Sequence, residues 1–113
     1  MNKYILLYRS PEATSKYQPS PEEMQGMMEQ WGKWKEAFKD NIVDLGDGLK
    51  PTGQVLQADD SVTDGPFVEA KEVMGGFSII QAENFAKAVE VARACPVRHV
   101  PGNNIEIREL AGF

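Results

Sequence analysis

Apolar side chains recur along this chain with two different periods, and the change of period marks out its elements. Tyr4 to Tyr8 is a β-rich apolar run closed by Arg9-Ser10-Pro11, which predicts a first strand. Ser10 to Pro19 is polar and carries prolines at both ends of its span, so a loop is expected there. Met24, Met27, Met28, Trp31, Trp34 and Phe38 then recur at helical spacing and form one apolar stripe. Ser20 precedes this stripe as an N-cap, Pro21 takes the first helical position, and Glu23 completes a capping box. The helix is expected to fade near Asn41 and to be over by Gly46 and Gly48.

Further on, Gln54 to Ala58 gives a short strand signal and Val73 to Gln81, with Phe77, Ile79 and Ile80, a stronger one. Between them, Asp59 to Thr63 and the tetrapeptide Asp64-Gly65-Pro66-Phe67 predict a turn followed by a short extended piece. Asn84 caps a second helix in which Phe85, Ala88, Val89 and Ala92 share a face, and Pro96 ends it. After Arg98 to Asn103, the segment Ile105 to Leu110 alternates as a last strand.

The order β-α-β-β-α-β predicts a single α+β domain over residues 1–113 with the ferredoxin-like arrangement, a four-stranded antiparallel sheet with two helices on one face. Such a sheet normally leaves its second face polar. The first strand does not comply, since Ile5 and Leu7 point to one side and Tyr4, Leu6 and Tyr8 to the other. In the last strand Ile105 and Ile107 oppose Glu106, Arg108 and Leu110. Both faces of the sheet therefore need a cover, and a second copy packing sheet to sheet supplies it, enclosing a cleft near Glu106 and Arg108.

Composition narrows the class. The 113 residues suit one core without disulfides or metals, and a formal charge of −5 with scattered basic residues argues against nucleic acid. A lone cysteine, Cys95, forms no intrachain disulfide and fits a cytoplasmic protein. No apolar stretch approaches a signal peptide or membrane span. One histidine and one cysteine make no metal set, and no cofactor is expected.

Several residues carry chemistry together with a plainer role. Asp64 acts as a general acid or base if buried, or bonds the backbone of an Asp-Gly-Pro turn. Glu69, Lys71 and Glu72 line a cleft or lie solvated at a strand entry. Arg108 on an inward sheet position needs a carboxylate, from the protein or from an anionic ligand. Gly75-Gly76 marks a bulge or a close backbone approach, the Met and Trp residues of the first helix fill the core, and Cys95 is an inert thiol.

Asp64-Gly65-Pro66-Phe67, then Glu69, Lys71-Glu72 and Gly75-Gly76-Phe77, with Trp31, Trp34, Cys95-Pro96 and Glu106-Ile107-Arg108, resemble the YCII-related family in its Asp-Gly-Pro-Phe branch. The resemblance covers nearly the whole chain. It implies a ferredoxin-like fold that dimerises as an α+β barrel, a superfamily that hosts small-molecule isomerases, monooxygenases and dehalogenases. It also implies a pocket in which Asp64 is the acid/base of lyase- or isomerase-type proton chemistry. Pro66, Phe67, Glu69, Lys71 and Arg108 would then contact the ligand. The histidine that relatives place on the first helix has no counterpart here, where His99 is the sole histidine. Genes of this branch often neighbour alternative sigma factors. A non-catalytic sensing module and a purely structural dimer therefore stand beside the enzyme reading.

Overall fold

A computed structural model describes residues 1–11, 19–65 and 72–113. The elements are β1 (Asn2–Pro11), α1 (Pro21–Ala37), β2 (Ile42–Gly48), β3 (Gly53–Leu56), β4 (Val62–Gly65), β5 (Glu72–Ala82), α2 (Phe85–Arg93), a 3₁₀ turn (Pro96–His99) and β6 (Asn104–Glu109). The main sheet has the order β2-β5-β1-β6 with antiparallel neighbours, while β3 and β4 form a separate hairpin. With the hairpin set aside, the chain runs β-α-β-β-α-β. This is the α+β, ferredoxin-like architecture expected from the sequence.

One strand differs from expectation. The second strand of the sheet is Ile42–Gly48, where the pattern predicted the end of a helix and a loop. Gln54 to Ala58, predicted to fill that place, instead contributes β3 of the inserted hairpin. The cause is local. β2 is an edge strand broken by register shifts, and Asp44 and Asp47 accept hydrogen bonds from the amides of Gly46 and Gly48 at 2.8 and 2.7 Å. Gly46 adopts φ of 76°, and a Cβ there would sit 1.8 Å from the carbonyl oxygen of Phe77. A strand built on Asp and Gly lacks the alternation that marks strands in sequence. β1 also runs three residues further than predicted, through Arg9, Ser10 and Pro11.

Capping follows the sequence closely. Ser20 accepts from the Glu23 amide at 3.2 Å, the Glu23 carboxylate reaches back to the Ser20 amide, and Pro21 opens α1. Asn84 accepts from the Lys87 amide at 2.9 Å and opens α2.

Cross-strand register decides which residues share a face. Tyr4, Leu6 and Tyr8 of β1 stand beside Ile80, Ser78 and Gly76 of β5, and Leu6 and Tyr8 beside Ile107 and Ile105 of β6. This face packs against Trp34, Ala88, Val91, Ala92 and Cys95, and here the core sits. The Trp34 indole donates to the carbonyl of Val91 at 2.9 Å and ties the helices together. The methionines of α1 do not join this core. Met24, Met27 and Met28 are exposed, as is nearly all of the helix before Trp31, so only its C-terminal half anchors it.

Candidate functional site

The opposite face of the sheet carries Ile5 and Leu7 beside Ile79 and Phe77, all half-buried. Glu106 and Arg108 of β6 face Leu7 and Ile5 along one side of this apolar row. Asp44 and Asp47 of β2 stand opposite Ile79 and Phe77 along the other. Arg108 and the Arg9–Glu106 pair thus flank an apolar centre on one side and two aspartates on the other.

On this face Arg9 takes the role that the sequence offered to Arg108. Its guanidinium donates to Glu106 at 3.2 Å and to the Asn104 side-chain oxygen at 3.0 Å. Arg108 is exposed and makes no side-chain hydrogen bond or ion pair among the described residues. Pattern reasoning missed Arg9 because its pairing depends on the register between β1 and β6.

Asp64 lies on β4 of the hairpin, exposed and opposite Gln54. The bond to a backbone amide two residues on, expected of an Asp-Gly-Pro turn, is not open to it, because Pro66 has no N–H. The aspartate that does hold a turn is Asp59, whose carboxylate accepts from the Ser61 hydroxyl and amide at 2.6 and 2.9 Å. Those bonds hold Asp59 below the usual carboxylate range. Pro66, Phe67, Glu69 and Lys71 lie outside the described residues. His99 is exposed at the end of the 3₁₀ turn, along a groove shared with Met27 and Val100, and shares no cavity or hydrogen bond with Asp64 among the described residues.

On the helix side of the sheet lies a cavity of about 330 Å³. Trp31 of α1 and Tyr8 of β1 form one wall, with ring centroids 5.6 Å apart and an edge-to-face angle of 67°. The floor is glycine: Gly46 and Gly48 from β2, Gly75 and Gly76 from β5. Gly75 is the extra residue of a bulge between the Tyr8–Gly76 and Arg9–Met74 pairs, as the glycine pair suggested. Gly76 lies in close approach, since a Cβ would come within 2.8 Å of the Asp47 carbonyl oxygen. Behind this floor the Tyr8 hydroxyl donates to Ser78 at 2.5 Å, and Ser78 donates to the Leu45 carbonyl at 2.5 Å. Burial pushes the Tyr8 phenol far above its ordinary range, and burial likewise pushes up the thiol of Cys95. The signal available in the sequence was the pairing of two glycine-rich segments, Gly46-Asp47-Gly48 and Gly75-Gly76.

Among the described residues no group of three or more His, Cys, Asp and Glu is placed to hold a metal ion, and no helix is long and apolar enough to cross a membrane. The family model of the YCII-related domain matches residues 1–111. No curated protein matches the chain.

Proposed function

The chain belongs to the YCII-related family, and on that premise we propose that it is a small-molecule-binding module that works as a homodimer of the Asp-Gly-Pro-Phe branch. The carrying observation is the open sheet face. Half-buried Ile5, Leu7, Phe77 and Ile79 form its centre, Arg108 lies on one edge, and Asp44 and Asp47 lie on the other. A two-fold axis running along the strands turns this face onto itself. It lays the β6 edge of one protomer over the β2 edge of its partner, so that Arg108 comes level with Asp44 across a shared apolar layer, while Glu106, level with Asp47, is neutralised by its own Arg9. In that cleft Arg108 anchors a small anion, because a guanidinium fork suits a carboxylate or phosphate.

Binding stands ahead of catalysis in this reading. Asp64, the candidate acid or base, is exposed on a hairpin outside the main sheet, and the helix histidine of relatives is absent. Analytical ultracentrifugation tests the proposal. The native chain is expected to sediment at twice its 12.6 kDa monomer mass, and Leu7→Arg at the monomer mass with an unchanged far-UV spectrum. Malonate is expected to shift the Arg108 side-chain resonance in the native chain and not in Leu7→Arg. A monomeric native chain, or an equal malonate response in both, defeats it.

A further inference from the structure

The cavity behind the sheet meets the open face only at Asp47 and Phe77 and needs no dimer to form. We propose that this space, between Trp31 and the glycine-lined ends of β2 and β5, binds a small planar molecule that is neutral or cationic and carries a hydrogen-bond donor. Its volume of about 330 Å³ falls at the small end of ligand pockets. Tyr8, Trp31, Leu45 and Val97 give it apolar walls, and the edge-to-face pair of Trp31 and Tyr8 presents ring surface on which a flat molecule stacks.

The glycines of the floor separate into two kinds. Gly46 and Gly76 are required by the backbone, one by its positive φ and the other by contact with Asp47. Gly48 and Gly75 are not. A Cβ on Gly48 would meet nothing nearer than 3.6 Å, and one on Gly75 nothing nearer than 4.0 Å. Glycine inside a strand costs stability when no close approach demands it. Both line the cavity, and their bareness leaves it open.

The polar rim selects the ligand's charge. Asp47 is the one charged residue among those described along the cavity; its pairing with Phe77 puts the carboxylate at the sheet edge on the open-face side, from where its field still disfavours an anion and favours a cation. Asn103 also lines the space. Its amide nitrogen donates to the Val97 carbonyl at 3.3 Å, while its Oδ1 is buried without a hydrogen-bond partner among the described residues. A buried acceptor without a donor is uncommon and calls for an explanation. A turn of this amide toward the cavity would let a ligand N–H or O–H supply one.

Three probes of one shape test this: indole, tryptamine and indole-3-acetate, titrated to millimolar concentration against the uniformly ¹⁵N-labelled chain. Indole and tryptamine are expected to shift the amides of Gly46, Gly48, Gly75 and Gly76 saturably. Tryptamine should be the tighter, and indole-3-acetate roughly tenfold weaker than tryptamine. Gly75→Val and Gly48→Leu fill the cavity from facing strands and should abolish the shifts while melting at or above the native temperature. Leu7→Arg should leave binding intact. Asp47→Asn should erase the advantage of tryptamine over indole, which keeps the test decisive if a filled variant does not fold. The proposal is overturned if no probe shifts these amides, if the shifts survive both filled variants, or if indole-3-acetate binds as tightly as tryptamine.

Discussion

Tyr8 carries its hydroxyl into the core, where Ser78 and the Leu45 carbonyl continue a chain of hydrogen bonds and the fully buried Cys95 thiol lies alongside. Burial is the main reason that both groups hold their protons more tightly when folded, and the bond to Ser78 only partly offsets it for Tyr8. The unfolded chain releases these protons near the ordinary values of 10.0 and 9.0. It therefore binds fewer protons than the folded chain above those values. The stability that the neutral pair contributes is intact below about pH 9 and is lost as the pH climbs beyond. The thermal midpoint should fall across this alkaline range, and the fall above pH 10 should be shallower in Tyr8→Phe. That variant should also lose about 1 kcal/mol at neutral pH, since Ser78 loses its donor. An identical alkaline slope in both proteins would refute the assignment.

The least anchored element is the β3–β4 hairpin. Leu56 and Val62 are cross-strand partners, yet both are exposed, and the backbone bonds at its tip stay within Gln57 to Ser61. A two-stranded hairpin in whose strands, among the described residues, only Val55 is partly buried is marginal in water. Native-state hydrogen exchange should show the amides of Gln54, Val55 and Thr63 exchanging far faster than those of Leu6 and Ile80, and equal protection would contradict this. The same element explains what was legible in the sequence. Caps at Ser20 and Asn84 were readable because each is settled within four residues. Tyr4 to Tyr8 was readable because a central strand is apolar on both faces. Ile42–Gly48 was not, because an irregular edge strand spends its positions on Asp and Gly. The Arg9–Glu106 pair and the glycine-floored cavity arise from register between strands far apart in the chain, which no local pattern encodes. The methionine stripe misled for the opposite reason: helical spacing reports a shared face, not what covers it.

At the scale of the molecule, the Cα radius of gyration of 15.5 Å exceeds the roughly 13 Å of a compact domain of this length. The extents of 42 × 42 × 19 Å describe a slab. In the proposed dimer two such slabs pair by their open faces, and Arg108 set level with Asp44 of the other protomer gives the pair a salt dependence. Raising NaCl from about 0.05 to about 0.5 M should weaken self-association several-fold, and Arg108→Gln should flatten that dependence. Retention of the full salt effect in Arg108→Gln would remove the edge charges from the account. The chain has only two tryptophans, Trp31 and Trp34, and both stand on the anchored half of α1 with rings 5.5 Å apart and nearly perpendicular. Near-ultraviolet circular dichroism and indole emission will therefore be dominated by the seating of one helix on the sheet. Optical melting followed at those wavelengths records when α1 lifts away, and only amide-based probes report the sheet beneath it.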